Sequence, residues 1–186
     1  MKLFKVFLGF WLFVGGIFLA SLFFPSELRV ERSIIIDKPV YESFAYLNNI
    51  QNIAKLIPWD KNVDSSMAWF FSKNISGLNA SYYFRGNLLG KSYLKIIECI
   101  PNEKLTTALD INDGGMTSSS TFYFECIGGD KTKLTWKDYK DVGYNPFHRF
   151  QIPTKTEQTE LQFDEGLIKI RIAITSSNKK ASLLPT

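Results

Sequence analysis

Asp138 is the titratable residue whose position best suits chemistry. It shares one face of a predicted strand, Thr132–Val142, with Leu134 and Trp136. A carboxylate inside an apolar cavity has a raised pKa, and it could donate a proton or anchor a ligand hydroxyl. The alternative is that the strand leaves the core at this point, so that Asp138 meets solvent or pairs with Arg149 or a lysine.

His148 is the only histidine, and it follows the Asn145-Pro146 turn at the entry to a predicted last helix. General base catalysis needs a positioned partner, and no Ser, Cys or Asp stands beside this histidine in a catalytic motif. A surface or capping role is therefore favoured, and Arg149 is expected to tie the turn to the sheet. No catalytic residue can be named, and whether the protein is an enzyme stays open.

The remaining composition argues against metal and nucleic-acid sites. With two cysteines and one histidine, the sequence does not supply the ligand spacing of a zinc site, and no metal or cofactor is expected. Cys99 and Cys126 end two predicted strands that have one strand between them, which places them about 10 Å apart and predicts free thiols. The net charge of +4 lacks the clustered basic face of a nucleic-acid-binding protein.

The first 24 residues predict a single membrane span. The run from Val6 to Phe24 is uncharged and long enough as a helix to cross a hydrocarbon core about 30 Å thick. A cleaved signal peptide is the alternative, but Ala20-Ser21-Leu22 is a poor cleavage site. Lys2 and Lys5 precede the span, so the soluble domain is expected on the extracytoplasmic (periplasmic) side.

Periodicity places seven strands and three further helices after the anchor. We expect a linker at 25–30, a domain at 31–175 and a disordered tail at 176–186. Pro39 opens one helix, and a second short helix covers Ile50–Leu56. The predicted strands are Leu28–Asp37, Met67–Ser72, Asn79–Arg85, Lys91–Ile100, Lys104–Asn112, Ser118–Ile127 and Thr132–Val142, the last six forming an antiparallel meander.

The last helix is predicted to begin after Pro153. Thr154 and Glu157 fit a capping box, and an apolar stripe follows at spacings of four, three and four residues. One pattern conflicts with this interpretation, because Ile168–Ile174 alternates like a strand. A helix is favoured because the continuous run from Thr154 is too long for a strand. The stripe consists of Phe163, Leu167, Ile170 and Ile174.

Several marked residues in this order of elements resemble one superfamily. They are E-R-S-I-I-I-D-K-P-V with Phe44, then Pro58-Trp59, Y-Y-F-R-G-N with Gly90, Pro101-Asn102, K-L-T-W, G-Y-N-P-F-H-R-F and F-D-E-G-L. From about Glu31 to Ile170 the chain resembles the START-like (SRPBCC) superfamily, and within it the membrane-anchored polyketide cyclase/dehydrase-like branch. Bacterial members of that branch often carry one N-terminal span.

The resemblance implies an α+β helix-grip fold. In this fold a curved antiparallel sheet, here of about seven strands, wraps a long C-terminal helix and leaves an apolar cavity between them. Members bind lipids, sterols, hormones, quinones or polyketides, and a minority are cyclases or dehydratases. Since fold does not determine function, no catalytic residue is carried over. The polar run within Gln151–Gln162 departs from the more apolar helix start that the family suggests.

Inward-facing residues of the sheet and the helix are the candidate ligand-binding set. Each of them could equally be a core residue. The favoured function is binding of a hydrophobic small molecule or lipid in the cavity at a membrane surface. A cyclase- or dehydratase-like enzyme with Asp138 and Tyr82 as proton donors is one alternative, and an interaction module without a ligand is another. The candidate residues are Tyr82, Phe84, Leu94, Leu109, Phe122, Phe124, Trp136, Asp138, Phe163 and Leu167.

Overall fold

One antiparallel sheet and a long C-terminal helix organise the chain. The computed structural model describes residues 2–56, 65–87, 90–111 and 116–181. Pro58 and Trp59, which contribute to the family resemblance, lie outside the described residues. The elements are α1 (Lys2–Ser21), β1 (Glu27–Ile36), α2 (Val40–Leu47), α3 (Ile50–Ala54), β2 (Ala68–Phe71), β3 (Ser81–Gly86), β4 (Gly90–Ile100), β5 (Lys104–Ile111), β6 (Met116–Cys126), β7 (Thr132–Asp141) and α4 (Pro146–Ala181).

The sheet has seven strands in the order β1-β7-β6-β5-β4-β3-β2. Strands β2 to β7 form the predicted meander, and β1 joins it at the far edge by pairing with β7, with Val30 opposite Asp138 and Ile34 opposite Leu134. The first and last strands are therefore neighbours, although more than 90 residues separate them. All pairings are antiparallel, and the predicted helix-grip fold is confirmed.

Alternation of apolar and polar residues locates every strand to within two residues of its predicted ends. Turn residues explain where the strands stop. Asn102 and Gly128 both adopt positive φ, at 62° and 88°, in the turns that follow β4 and β6. Strand β1 begins at Glu27, one residue before its predicted start at Leu28. The segment predicted as a linker, residues 25–30, thus contributes Glu27–Val30 to the sheet.

Helix α4 begins before the predicted position after Pro153, and that prediction was wrong. The Asn145 side-chain Oδ1 accepts a hydrogen bond from the backbone N–H of Phe147 at 3.0 Å, and Pro146 occupies the first helical position. An Asn cap followed by Pro is a strong helix start because it satisfies one free N–H and needs no donor at the next residue. Pro153 consequently lies inside the helix, and the Thr154–Glu157 capping box is not its start.

Helix α4 includes Ile168–Ile174, the stretch whose sequence alternates like a strand. Ile170 and Ile174 are buried, whereas Ile168 and Ile172 are 44% and 58% exposed, which is the burial pattern of one helical face. The helix continues through Ser176 to Ala181, into the segment for which a disordered tail was predicted, and residues 182–186 lie outside the described residues.

Helices α2 and α3 close the core at the end of the sheet where β7 begins. Phe44 of α2 meets Phe124 edge to face, with ring centroids 5.4 Å apart. Thr132 fastens α2 to β7, because its hydroxyl donates to the Lys38 carbonyl at 2.7 Å and lies 3.3 Å from the Ser43 hydroxyl. This end of the concave face is therefore sealed by packed side chains.

Helix α1 is long and apolar enough to cross a membrane over Phe4–Ser21. Its length and composition are also compatible with a signal sequence. Only a small part of it is covered by the rest of the chain, which it contacts through α4.

Candidate ligand-binding site

Most of the candidate residues form a buried core beneath α4. Alternate side chains of the strands point to the concave face, where α4 and α2 cover them. Each of the following is at most 5% exposed and belongs to one continuous cluster: Tyr82, Phe84, Leu94, Phe122, Phe124 and Leu167.

Trp136 fills the space between the sheet and α4. Its ring stacks on Phe163 with centroids 4.0 Å apart and lies 5.0 Å from the ring of Phe122. A Cβ built on Gly166 would stand 2.8 Å from Cζ3 of the indole, so the helix approaches as closely as a glycine permits. At this level protein atoms occupy the predicted cavity, and Phe163 itself packs in a second cluster with Leu28 and Val30.

The next row of inward-facing residues toward the end of β7 is polar. Thr107, Ser120 and Asp138 are cross-strand neighbours on β5, β6 and β7. The Ser120 hydroxyl donates to Asp138 Oδ1 at 2.7 Å, and the Thr107 hydroxyl donates to the Ser120 carbonyl at 3.3 Å. These three residues, which we call the polar row, lie beside the apolar pair Phe122 and Trp136.

Asp138 is half-buried, and its surroundings favour the neutral acid. Burial raises the pKa of its carboxyl group, while the hydrogen bond from Ser120 and the charge of Lys140 oppose that rise. Burial lowers the pKa of Lys140, and the positive charge of Lys155 adds to that effect. Asp138 therefore pairs with a serine, and the proposed Arg149 partner instead bonds to backbone carbonyls.

The concave face is only partly covered on β5, β6 and β7 toward the end of the sheet next to α1, whereas Val30 of β1 and Ser92 of β4 stay buried there. The half-buried inward-facing residues are Leu109, Ser118, Ser120, Asp138 and Lys140. This end lies beside the anchor junction, because the Val142 N–H donates to the Ser26 carbonyl at 2.9 Å. We call this half-buried part of the inward face the mouth of the concave face.

No family model matches the sequence, and no curated protein matches it. Several solved structures have a fold similar to that of this chain. Ara h 8.0201 matches with a TM-score of 0.54 and 14% identity over 81% of this chain and 99% of that one. The Aha1 dimer from Colwellia psychrerythraea gives 0.53 and 15% over 79% and 96%. The chain has the START-like fold. The di-domain ARO/CYC BexL from the BE-7585A biosynthetic pathway matches at 0.55 and 13%, over 79% of this chain and 46% of that one.

Two buried polar side-chain atoms among the described residues of this START-like domain have no hydrogen-bond partner. Ser92 is 2% exposed and points to the concave face from β4, opposite Phe84 on β3. Its hydroxyl finds no hydrogen-bond partner among the described residues, and neither does the indole N–H of Trp136. A buried donor left in this state costs about 1–3 kcal/mol, so each is a place where a ligand acceptor would be favourable.

Tyr82 and Asp138 do not form one catalytic constellation. Tyr82 lies on β3 and Asp138 on β7, four strand positions apart and therefore on the order of 19 Å along the sheet. Burial among apolar side chains raises the pKa of the Tyr82 phenol, which makes it a poor proton donor near neutral pH. The predicted pair of proton donors is thus not brought together.

The other singled-out residues take structural places in the START-like fold. His148 is exposed on the first turn of α4. Arg149 was predicted to tie the turn to the sheet; its Nε donates to the Gly143 carbonyl of the turn at 2.9 Å, and its Nη1 donates to Ser21 of α1. Cys99 and Cys126 are free thiols. In the part of the chain that the structure describes, no group of three or more His, Cys, Asp or Glu side chains could hold a metal ion.

Sequence reasoning missed Ser92, Thr107, Ser120 and Lys140. A signal for one of them was present, because the S-S-S-T run at 118–121 alternates in register with Phe122 and Phe124. Ser118 and Ser120 must then share the inward face with these phenylalanines. Two hydroxyl groups that continue an apolar face indicate where the core stops and a wetter site begins.

A separate cleft of about 570 Å³ lies at the β3–β4 turn. It contains none of the predicted site residues, and its two cations, Arg85 and Lys91, stand directly opposite each other across the hairpin. The lining consists of Ser66, Arg85, Gly86, Asn87, Gly90 and Lys91.

Proposed function

We propose that this START-like domain binds a hydrophobic small molecule or lipid that carries a hydrogen-bonding group, at the surface of a membrane. The polar row is the observation that supports the proposal most directly. It stands at the mouth of the concave face, immediately beside a closed apolar core. A ligand lying over Leu109 and Trp136 would bury apolar surface and present its polar group to Ser120 and Asp138.

The two kinds of contact have different roles. Apolar burial contributes about 25 cal/mol per Å², which gives affinity without specifying orientation. The few polar side chains specify orientation, as in most small-molecule sites. The Asp138 carboxyl group can accept a hydrogen bond from a ligand hydroxyl, and because burial raises its pKa, its neutral form, which can also donate to a ligand carbonyl, is easier to reach than in water. Alcohols, ketones and quinones are therefore better candidates than fully apolar hydrocarbons.

The anchor supports a lipid-derived ligand. Helix α1 passes the length and composition test for a membrane span, and the mouth lies at the end of the sheet nearest to it. A molecule that partitions into the bilayer would reach this mouth without crossing bulk water. In this proposal the protein is a single-pass membrane protein with its domain on the periplasmic side.

The test compares two adjacent serines on β6. Ser120→Leu would fill the inward face at the polar row. Ser119→Leu adds the same side chain to the opposite, outward face of the sheet, where Ser119 pairs with Tyr139. The full chain is extracted in mild detergent and examined by native mass spectrometry for a co-purifying apolar molecule. We expect occupancy to fall at least tenfold in Ser120→Leu and to stay near the parent value in Ser119→Leu.

Thermal unfolding of both variants is the control for folding. If both variants are folded and have the same ligand occupancy, the ligand does not bind at the polar row. If neither the parent protein nor the variants bind added fatty acid, quinone or sterol, the interaction-module hypothesis replaces the ligand hypothesis.

A second candidate function is proton transfer to a bound substrate by Asp138, as in a cyclase- or dehydratase-like enzyme. Its support is the raised pKa of a half-buried carboxyl group beside a hydroxyl donor. The printed description ARO/CYC applies to BexL, and here it only suggests which substrates to try first. Asp138→Asn should abolish turnover of any substrate found while leaving its binding in place; unchanged turnover would exclude this role.

A further inference from the structure

Five aromatic rings surround the junction between α1 and the domain. Phe23, Tyr144 and Phe147 are 90%, 74% and 73% exposed, and they lie in segments that the fold brings together: the end of α1, the β7–α4 turn and the first turn of α4. Phe24 and Phe150 join these segments, with ring centroids 4.8 Å apart in an edge-to-face pair. We call these five residues the aromatic corner.

Beside these rings, the side chain of Arg149 joins α1 to the domain. Arg149 is only 7% exposed, and its guanidinium group contacts two segments, the β7–α4 turn and the end of α1. Nε donates to the Gly143 carbonyl at 2.9 Å, Nη1 donates to the Ser21 carbonyl at 3.5 Å, and Cζ lies 5.4 Å from the centroid of the Tyr144 ring.

The position of this guanidinium group suits both helices. Ser21 is the last residue of α1, and its carbonyl also accepts a hydrogen bond from the Phe24 N–H at 3.1 Å. The C-terminal end of a helix carries partial negative charge, so a cation is favourable there. Because the same side chain also holds the turn before α4, it links the end of α1 to the start of α4 across residues 22–26. We expect this link to restrict the rotation of α1 against the domain.

The exposed rings of the aromatic corner are expected to contact an apolar partner. Large exposed apolar patches on a folded domain usually mark contact with a membrane or another protein. Here the patch continues the apolar surface of α1, whose side chains from Phe4 to Ser21 are almost all exposed. Trp and Tyr at the end of a span typically lie at the level of the lipid headgroups, and Tyr144 is such a residue in the corner. The four phenylalanines add apolar surface beside it.

We propose that the aromatic corner lies in the interfacial layer of the bilayer that α1 spans, and that Arg149 holds the domain in one orientation on that surface. The partner is the lipid surface itself. This contact rests on the membrane span of the proposed function, but it does not require a ligand, so lipid contact at the corner and ligand binding at the polar row can fail separately. If both hold, the mouth of the concave face is held next to the lipid headgroups.

The test measures whether residue 147 contacts lipid in the full chain. An environment-sensitive fluorophore (NBD) is attached to the new thiol of Phe147→Cys in a Cys99→Ser, Cys126→Ser background. The control is the Cys99→Ser chain labelled at native Cys126, which is exposed at the opposite end of the sheet. Both proteins are reconstituted into phosphatidylcholine–phosphatidylglycerol vesicles with or without nitroxide-labelled lipids.

We expect a blue-shifted emission and at least twofold quenching by nitroxide lipid at position 147, and neither at position 126. Equal, weak quenching at both positions would overturn the proposal. A blue shift at 147 that is insensitive to nitroxide lipid and grows with the protein-to-lipid ratio would show a second protein chain on the corner, and this too would overturn it.

Arg149→Ala, introduced into the 147-labelled chain, tests the orientation. We expect quenching at 147 to fall by at least half, while circular dichroism verifies that the domain stays folded. Unchanged quenching in a folded variant would overturn the role given to Arg149. An unfolded Arg149→Ala chain is replaced by Arg149→Lys, which keeps the charge but not the planar set of donors, and the same two outcomes apply.

Discussion

Gly166 shows how one missing side chain sets the distance between α4 and the sheet. The indole of Trp136 occupies the place where a Cβ would stand, only 2.8 Å from its Cζ3. Side chains in protein interiors are packed closely enough that such an overlap must be relieved by movement of the ring or the helix. Trp136 is also held on its other sides by Phe122 and Phe163, which leaves it little freedom to move.

Gly166→Ala should therefore destabilise the domain by about 1–3 kcal/mol. In an unobstructed helix interior the same change stabilises by about 1 kcal/mol, so the sign of the effect is diagnostic. Urea unfolding of the detergent-solubilised chain, followed by tryptophan fluorescence, gives the measurement. Pairing it with Trp136→Phe completes a double-mutant cycle in which the smaller ring should recover part of the loss; a stabilising Gly166→Ala would contradict the close contact.

Asp138 should make stability depend on pH. Burial raises the pKa of its carboxyl group in the folded state, so the folded chain holds a proton that the unfolded chain has released. The free energy of unfolding then falls as the pH rises from about 4, the pKa of an unperturbed aspartate, through the folded-state pKa. Above the folded-state pKa the lost free energy of unfolding no longer changes with pH, and below about pH 4 no free energy is lost.

Asp138→Asn removes this titration and leaves an amide oxygen that can still accept from Ser120. We expect the variant to exceed the parent in stability at pH 7 and the difference to vanish by about pH 4. Urea unfolding between pH 4 and 8 measures it. Glu125→Gln, an exposed change on the same sheet, serves as the control. A difference that stays constant with pH would mean that burial does not govern this carboxyl group.

At the scale of elements, α4 is held by one helical stripe. Ile170 is fully buried in the core, whereas Ile172, two residues later, is 58% exposed. The alternating isoleucines of this segment fit a strand equally well by pattern. They become a helix because α4 continues unbroken on both sides and packs against β1 and α2.

Ile170→Ala should cost about 2–5 kcal/mol of unfolding free energy, since it leaves a cavity in the core. Ile172→Ala, the matched control, should change it by less than about 0.5 kcal/mol. The two variants are compared by chemical denaturation under identical detergent conditions. Similar costs for both would mean that the segment is buried on two faces and is not a half-exposed helix.

At the scale of the whole molecule, the two ends of the sheet have different roles. The end near Thr132 is sealed by α2 and α3, and the end near Asp141 carries the mouth and the anchor junction. In the proposed arrangement the domain faces the periplasm, a prediction that rests on Lys2 and Lys5 before α1.

Cys126 can test that orientation because it is an exposed native thiol far from the anchor. A membrane-impermeant maleimide should label it in spheroplasts that express the full chain, and Cys126→Ser should remove the labelling. Cys99, which is half-buried beside Asn48, is expected to react much more slowly. Labelling that requires lysis would place the domain in the cytoplasm.

The sequence by itself determined the strands, the turns between them, the apolar stripe of α4 and the candidate span, because each depends on local periodicity or turn chemistry. It also predicted most of the inward face, since alternation along a strand is strict. The start of α4 was misplaced because two sites fit a helix start: a capping box at Thr154 and an Asn cap at Asn145.

Only the tertiary structure decided what depends on neighbours distant in the chain. The pairing of β1 with β7, the bond from Ser120 to Asp138 and the contact of Gly166 with Trp136 join residues that no local pattern relates. The same applies to Asp138: its strand position makes it inward-facing, but only the neighbouring strands and helix determine that it is half-buried beside a serine. The polar row, and not the closed core beneath α4, is therefore where we place the ligand.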